Sequence, residues 1–144
     1  MKKGFDYIGV TVCFYCYDNN NKLLLQKRSE NCRDEQGHWD CGGGAMKFGE
    51  SFEQAVRREV KEEYCVNIEK LTFVGVNNVL REHKVQKTHW IAILYACLVD
   101  STKTKIGDPE KMDEIGWFNI NKLPKPLHSM YLIHLEFVKK AGII

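Results

Sequence analysis

The feature that most constrains this chain is a run of three glycines that leads, after a short segment, into a highly charged helix. Residues 42–44 are all glycine, and such a run indicates close approach of the backbone to another group or backbone angles that other residues avoid. Ser51 precedes Gln54 by three residues, the pattern of a capping box at a helix N-terminus, and a helical hydrophobic period continues to about residue 63. We therefore expect the fold to place the glycine backbone of residues 42–44, which carries no side chains, close to a charged helix.

Three carboxylates of this helix fall beside its apolar stripe rather than on its solvated face. At about 100° per residue, Glu62 and Glu63 lie within about 60° of Glu59, on the side that carries the apolar residues. Like charges three and four residues apart repel one another, and burial adds a desolvation cost, so the cluster needs a cation. Hard divalent ions such as Mg²⁺ prefer carboxylate oxygens and share their sites with substrate phosphates. The alternative is a solvated face on which the acids pair with basic neighbours, namely Arg57, Arg58 and Lys61.

The same residues resemble the motif of the Nudix hydrolases, G-x5-E-x7-R-E-U-x-E-E-x-G-U, in which U is aliphatic. The chain has Gly44, five residues, Glu50, seven residues, and then the run Arg58-Glu59-Val60-Lys61-Glu62-Glu63-Tyr64-Cys65-Val66. One fixed position differs, because Cys65 stands where the family has glycine, and this puts the geometry of the helix C-terminus in question. The resemblance covers the motif at residues 44–66 through its residues, and the rest of the chain through the order of elements.

The resemblance implies hydrolysis of a diphosphate bond in a nucleoside diphosphate joined to another group X, with Mg²⁺ or Mn²⁺ as the cofactor. It also implies that Glu59, Glu62 and Glu63 bind the metal, and that one of them orients or deprotonates the attacking water. The carbonyl oxygen of Gly43 would be a further metal ligand. The fold it implies is a mixed sheet sandwiched between helices.

Supporting roles follow from the same resemblance. Arg58 and Glu50 are expected to pair and to hold the loop, helix and loop in shape, as metal sites generally require. Arg28, at the end of the second predicted strand, resembles the family position that contacts substrate phosphate. An additional acidic ligand or base often comes from a later loop in this family. The candidate there is Glu110, with Asp113 and Glu114 as alternatives.

The order of elements across residues 1–144 predicts one mixed-sheet α/β domain, which the resemblance implies is an α/β/α sandwich. No repeat, low-complexity stretch or linker interrupts it. Residue type and period predict strands at 7–17, 22–28, 71–79, 88–99 and 115–118, and helices at 51–63 and 129–141. A basic stretch, residues 81–87, is expected to connect two of the strands.

Composition limits the partners. The chain has 21 Lys+Arg and 19 Asp+Glu, a net charge of +2, and 44% hydrophobic residues, which is typical of a globular domain and excludes a disordered one. The charge is too small to predict a stable nucleic-acid partner, although Arg81, Lys84 and Lys87 could steer polyanions. No apolar run approaches the roughly 20 residues that span a bilayer and no signal peptide is visible, so we expect a cytoplasmic protein without a membrane partner. A homodimer stays an open alternative.

Cysteines and histidines do not predict a second metal site. The six cysteines are scattered singly and are expected to be free thiols. Cys13 and Cys16 have a metal-like spacing, but in a strand residues three apart point to opposite faces, so zinc there is the weaker alternative. The five histidines form no spaced pair, and we expect each to be on the surface or satisfied in the core.

Within this reaction class we expect cleavage of a (d)NTP to the (d)NMP and pyrophosphate. Residues 108–111, 117–118 and 123–124 resemble members that cleave nucleoside triphosphates. ADP-ribose or another nucleotide sugar is the alternative substrate, and a catalytically silent module that senses nucleotide is the alternative without enzyme activity. Trp39 and Tyr131 are the expected contacts to the base, the sugar or X, because phosphate and metal contacts are common to all substrates of the class.

Overall fold

A seven-stranded sheet with helices on both faces organises residues 1–144 in the computed structural model. In chain order, the elements are β1 (Gly9–Tyr17), β2 (Lys22–Arg28), β3 (Trp39–Asp40), β4 (Gly42–Ala45), α1 (Phe52–Tyr64), β5 (Lys70–His83), β6 (Gln86–Leu98), β7 (Met112–Asn119) and α2 (Tyr131–Lys140). A short 3-10 helix, Ser101–Lys103, lies between β6 and β7. None of the helices is long and apolar enough to cross a membrane.

The sheet is mixed because its central strand has both kinds of neighbour. β1 runs parallel to β6 along its whole length, from Gly9 opposite Trp90 to Tyr17 opposite Leu98. The other strand pairs are antiparallel, and the main path runs β3, β2, β1, β6, β5, with β4 added to β1 and β7 to β2. The predicted α/β sandwich with a mixed sheet is therefore confirmed.

The two faces of β1 pack against different helices. Phe14 and Cys16 belong to the core cluster that includes the apolar side of α1, whereas Tyr15 packs against Tyr131 at the start of α2. This alternation follows from the period of a strand, in which successive side chains point to opposite faces. Cys13 and Cys16 consequently lie in different clusters, and all six cysteines are free thiols, as predicted.

α1 has a well-defined cap at each end. The Oγ of Ser51 accepts the Gln54 N–H at 3.1 Å, and the Oε1 of Gln54 accepts the Ser51 N–H at 2.9 Å, which completes the predicted capping box. At the other end, Cys65 has φ 59° and donates its N–H to the carbonyl of Lys61 at 3.0 Å. Cys65 therefore adopts the left-handed conformation for which glycine is better suited.

Two segments differ from the sequence prediction. Residues 42–44 belong to a short strand, β4, in which Gly43 lies opposite Cys13 of β1. Residues 81–87, predicted as a basic connection, instead extend β5 and β6 into one long hairpin. The tip of the hairpin is formed by Lys84 and Val85, both with positive φ, 49° and 59°. The antiparallel pairing of β5 and β6 thus continues through residues whose charge suggested a loop.

Candidate active site

A cavity of about 630 Å³ lies where β4 meets the carboxylates of α1. Its walls come from β4, α1, the loop after β2, the residues before β7 and the residues that lead into α2. One part of the wall is acidic and carries Glu59, Glu62 and Glu63. Other parts are basic and carry Arg28, Arg33, Arg81 and Lys111. The cavity therefore combines the two charge types that a metal-bound polyphosphate needs.

Glu63 is the most buried of the three carboxylates. It is 7% exposed as a residue, whereas the side chains of Glu59 and Glu62 are 13% and 54% exposed. The buried Oε1 atom of Glu63 has no hydrogen-bond partner. Burial and the neighbouring Glu59 raise the pKa of Glu63 well above its usual value. Two carboxylates this close together are costly unless a cation lies between them.

Gly44 brings bare backbone next to these carboxylates. A Cβ atom at this position would collide with the carboxylate of Glu59, so no larger residue fits without displacement of that side chain. The requirement here is for space rather than for an unusual backbone angle, because β4 is extended at Gly44. The glycine run therefore serves close approach, one of the two uses that the sequence indicated.

Arg58 holds the acidic group in place. Its Nε and Nη2 atoms donate to the two carboxylate oxygens of Glu50 at 2.6 and 2.8 Å, and its Nη1 atom donates to Glu59 at 2.7 Å and to Glu62 at 3.3 Å. Hydrogen bonds from Arg58, then from the Lys47 N–H, lower the pKa of Glu50 to about 2. The bidentate pair ties the segment before α1 to the helix and leaves Glu63 as the carboxylate without a basic partner.

The acidic side of the cavity fits a hard divalent cation. It offers a buried carboxylate oxygen without a partner and a second carboxylate beside it. The glycine backbone of β4 leaves the space next to these carboxylates free of side chains. Mg²⁺ and Mn²⁺ prefer such oxygen ligands. Glu59 and Glu63 would hold the ion. The exposed Glu62 stands at the rim, where it could reach the same ion or a second one.

Three arginines of the basic side converge on one buried carboxylate. The two oxygens of Asp34, whose side chain is only 7% exposed, lie 3.1 Å from Arg28 Nη2, 3.4 Å from Arg81 Nη1 and 3.8 Å from Arg33 Nη2. Arg81 also pairs with Glu35, and two carboxylates cannot neutralise three guanidinium groups, so this part of the wall retains positive charge. Such a surface attracts phosphate oxygens, which arginine can bind with two parallel hydrogen bonds.

Glu35 and His128 close the cavity beside these arginines. The Oε2 atom of Glu35 lies 2.6 Å from Arg81 Nη2 and 2.8 Å from His128 Nε2, and the other oxygen accepts the Ser129 N–H at 2.8 Å. Asp34, Glu35 and His128 place their ligand atoms within 4.8 Å of one another, as a metal site would. The arginines already neutralise both carboxylates, however, so the cluster joins loops and is not a second cation site.

Two buried polar side chains in the wall carry no charge. The amide of Gln26 is 9% exposed and its Oε1 atom has no partner. His134 is 5% exposed, and its Nε2 atom accepts a hydrogen bond from Asn77 Nδ2 at 3.0 Å. Burial, with a smaller effect of nearby His128, lowers the pKa of His134 to about 4, so its ring is neutral near pH 7. These side chains suit an uncharged polar part of a ligand.

Trp39 and Tyr131, predicted as substrate contacts, lie outside the cavity wall: Tyr131 is a core residue, and Trp39 is half-buried and packs against the same core cluster. Tyr131 is 1% exposed, and its ring packs on Tyr15 with centroids 5.0 Å apart. Trp39 packs edge-on against Phe118 at 5.2 Å. Both rings fill the space between the sheet and α2, because these positions fall on the inward face of their elements. Only neighbours of theirs, Asp40 and Met130, line the cavity.

Glu110 does not bring its side chain into the cavity either. Its backbone carbonyl accepts hydrogen bonds from Ser29 Oγ and Asn31 Nδ2, while its side chain is exposed. Of the alternatives, Asp113 is exposed and Glu114 pairs with Lys27 at 3.6 Å. The cavity residues of this segment are instead Asp108, Lys111 and Met112.

The sequence interpretation missed the group formed by Asp34, Glu35, Arg81 and His128. Asp34 and Glu35 lie in a polar loop, residues 29–37, in which nothing set them apart from their neighbours. Arg81 offered one usable signal, because it continues the alternation of β5 and therefore shares a face with Val79. His128 was correctly expected to be satisfied, but its position in the cavity wall has no local sequence signal.

Comparison with known proteins finds a matching family model, similar sequences and a similar solved structure. The model of the NUDIX domain matches residues 8–141. An ADP-ribose pyrophosphatase of Methanocaldococcus jannaschii is 33% identical over 108 residues, which cover 75% of this chain and 60% of that protein. The 8-oxo-dGDP phosphatase NUDT18 of Mus musculus is 26% identical over 138 residues, or 94% of this chain and 39% of that protein. The chain thus spans only part of the length of these relatives.

Among solved structures, a MutT NUDIX hydrolase from Burkholderia pseudomallei superposes with a TM-score of 0.80 at 29% identity. The match covers 92% of this chain and 99% of that one. The fold of this chain therefore matches nearly the whole of that structure.

Proposed function

The chain belongs to the NUDIX family, and on this premise we propose that it hydrolyses nucleoside triphosphates to the monophosphate and pyrophosphate with the help of Mg²⁺ or Mn²⁺. The observation that carries the proposal is the pair Glu59 and Glu63, in which a buried carboxylate oxygen has no protein partner. A structural ion pair would not leave that oxygen bare, because the nearby guanidinium of Arg58 is already used by Glu50 and Glu59.

In this proposal, each charged residue has a distinct task. Glu63, whose pKa is raised by burial and by the neighbouring Glu59, accepts a proton from the attacking water or orients it. Arg58 fixes Glu59, and Glu50 fixes Arg58 in turn. When bound, the divalent ion neutralises charge on the phosphate oxygens. Water adds to phosphorus, the bond between the α- and β-phosphates breaks, and pyrophosphate leaves with the bridging oxygen.

The basic part of the wall supports a triphosphate rather than a diphosphate joined to a neutral sugar. Arg28, Arg33, Arg81 and Lys111 line the cavity, and two carboxylates, Asp34 and Glu35, pair with the three guanidinium groups. This surplus of positive charge matches the additional negative charge of a third phosphate. The uncharged Gln26 and His134 are placed for the sugar or the base.

ADP-ribose is the second candidate substrate. It is supported by the 33% identity to an ADP-ribose pyrophosphatase, a higher identity than that to the 8-oxo-dGDP phosphatase. The unpartnered amide oxygen of Gln26 would suit a hydroxyl group of the additional ribose. A silent nucleotide sensor is the remaining alternative, and the complete set of motif glutamates argues against it.

A substrate panel with product identification tests the proposal. Wild-type protein is incubated with dGTP, dCTP, ADP-ribose and a dinucleoside polyphosphate, with Mg²⁺ or with a chelator, and products are separated by chromatography. We expect a deoxynucleoside monophosphate and pyrophosphate in the presence of the ion only. Rapid cleavage of ADP-ribose with no cleavage of either triphosphate would select the second candidate, and binding without cleavage would select the sensor.

A further inference from the structure

The strand β5 forms one edge of the sheet, and its outer side has no partner. In the strand order β3, β2, β1, β6, β5, the last strand pairs with β6 alone. No backbone hydrogen bond joins residues 70–83 to any segment other than β6, so the N–H and C=O groups that point away from β6 are unpaired. A long edge of this kind is a template for pairing with another strand.

This edge lacks the charges that usually keep exposed strands apart. Natural proteins protect such edges with lysine, other charged side chains, proline or a bulge. Ten consecutive residues of β5, residues 71–80, include no charged residue and no proline. A bulge between Phe73 and Gly75 interrupts the first part of the strand and leaves residues 76–83 in regular pairing with β6. Residues 76–80 are therefore both regular and unprotected.

Exposed apolar side chains flank this section on both faces of the sheet. Val76 and Leu80 share one face, because the side chains of a strand alternate, and both are exposed. On the other face, the exposed Ile133 of α2 lies one turn before Phe137, whose ring approaches Gly75. Apolar surface that continues across an unpaired edge in this way is typical of an interface between proteins.

A second copy of β5 fits this edge in an antiparallel arrangement. A two-fold axis perpendicular to the sheet maps each face onto itself, so residues that lie opposite each other must share a face. With the axis at Asn78, Val76 of one copy lies opposite Leu80 of the other. No charged residue then faces its own copy, and the nearest one, Arg81, falls opposite Gly75.

The neighbouring registers are less favourable. An axis at Val79 would place Val76 opposite the charged Glu82, and an axis at Asn77 would place Val76 opposite the polar Asn78. Of the three, only the axis at Asn78 pairs the two exposed apolar side chains of this section with each other. Apolar pairs directly opposite each other are the contacts that stabilise neighbouring strands.

We propose that two copies of this chain associate through their β5 edges in this register, so that the two sheets continue into each other across the two-fold axis. The partner is a second copy because the uncharged edge offers nothing to a charged segment, whereas its own strand supplies a section of equal length, neutral and with matching alternation. A stable interface buries roughly 800 Å² on each partner, so the exposed Phe73 and Ile133 take part beside the strand. The proposal is independent of the proposed reaction, since Val76 and Leu80 do not line the active-site cavity.

Sedimentation velocity over a range of protein concentrations tests the association. The double variant Val76→Lys/Leu80→Lys places four lysines at the interface, and both positions are exposed, so the monomer accommodates them. Leu132→Lys is the matched control, because Leu132 is also an exposed apolar residue and lies on the side of α2 away from Met130 and Phe137. Circular dichroism of each variant verifies the fold before the comparison.

We expect wild type and Leu132→Lys to reach twice the 16.7 kDa mass of the chain, and the double variant to raise the dimer Kd by about tenfold or more. An effect of the control equal to that of the double variant, or a dimer that the double variant leaves unchanged, would overturn the proposal. Wild type that stays monomeric at the highest concentration reached would leave the edge to a segment of another protein and would overturn it as well.

A single cysteine tests the register. Asn78→Cys places two thiols opposite each other at the axis, where the Cα separation of about 4.5–5.5 Å between opposed residues is one that a disulfide spans. Glu82→Cys is the control, because it lies on the same strand away from the axis. We expect mild oxidation to cross-link Asn78→Cys, and to leave Glu82→Cys and wild type, with its own exposed Cys65, as single chains on a non-reducing gel. Equal cross-linking of all three proteins, or none in Asn78→Cys, would contradict the proposed pairing.

Discussion

Glu63 is a carboxylate that the fold buries without neutralising it. Burial raises its pKa, so at neutral pH the metal-free protein must either hold a proton there or tolerate a buried charge beside Glu59. For a carboxyl group whose pKa is higher in the folded state, stability decreases as the pH rises above the unfolded value of about 4.3. The site therefore reduces the stability of the metal-free protein, and a bound cation would recover it.

The first prediction concerns the loss of stability that Glu63 causes in the metal-free protein. Glu63→Gln should raise the free energy of unfolding of the metal-free protein by about 1 kcal/mol at pH 7, since it removes a buried ionisable group beside a second carboxylate. Urea unfolding in the presence of a chelator measures it. Glu53→Gln is the control, because Glu53 lies exposed in the first turn of α1. Marked destabilisation by Glu63→Gln alone would indicate that Glu63 is a structural ion-pair partner.

Cys65 gives the second prediction. Its φ of 59° is left-handed, so Cys65→Gly should stabilise the protein by about 0.5–1 kcal/mol, as relief of backbone strain exceeds the entropy gained by the unfolded chain. Cys32→Gly is the control, since φ is not positive at Cys32 and the same substitution should destabilise. Chemical denaturation of both variants decides the sign, and a loss of stability at Cys65 would contradict the strain argument.

His134 gives the third prediction, which concerns pH. Its pKa is about 4 in the folded protein and about 6.5 in the unfolded chain, so between these values the unfolded state binds more protons. Stability should therefore fall as the pH is lowered from 6.5 to 4, with a contribution from His134 of up to about 1 kcal/mol per pH unit. The slope should be smaller in His134→Gln and unchanged in His83→Gln, an exposed histidine. Equal slopes in all three proteins would show that His134 is accessible to protons.

At the scale of elements, α1 and the strand before it carry the site. β4 presents backbone without side chains, and α1 presents carboxylates on the side that faces β4. The position of α1 is fixed by its apolar residues in the core and by the capping box at its start. A change in the position or direction at which α1 begins would move all three carboxylates together.

The fourth prediction tests the capping box at the start of α1. Ser51→Ala removes the acceptor of the Gln54 N–H and should destabilise the protein by about 1 kcal/mol. Ser101→Ala serves as the control, because the Ser101 side chain makes no hydrogen bond, and it should change stability by less than about 0.5 kcal/mol. Thermal unfolding of the two variants compares them. Equal effects would mean that the capping box adds nothing to the stability of α1.

The long hairpin shows how an element prediction can fail. Residues 81–87 are mostly charged or polar, and this composition favours a connecting loop, even though the alternation of β5 continues through them. In the structure, the exposed faces of two paired strands project beyond the core, where charged side chains are favourable. The positive φ values of Lys84 and Val85 are not typical of these residue types, so turn chemistry gave no signal either.

At the scale of the whole molecule, the motif and the α/β elements could be predicted because both depend on local spacing, and the resemblance to a known family supplied the sandwich arrangement. The capping box, the carboxylate positions and the alternation of β1 are each set by residues close in sequence. The resemblance implied a phosphate contact at Arg28, but its grouping with Asp34, Arg81 and His128 could not be predicted, since these residues come from four separate segments. Trp39 and Tyr131 were misassigned for a related reason, because an aromatic side chain near a glycine run suits a core as well as a site.

The fifth prediction is the most direct test of the central claim, which is that Glu59 and Glu63 form a metal-dependent hydrolytic centre. Pyrophosphate release from the best triphosphate of the substrate panel is measured as Mg²⁺ is titrated, for wild type, Glu63→Gln and the control Glu53→Gln. We expect no release with a chelator, saturable activation by Mg²⁺ in wild type and control, and a fall in kcat/KM of about a thousandfold or more in Glu63→Gln. Activity of Glu63→Gln within tenfold of wild type, or release that persists in the chelator, would contradict the account.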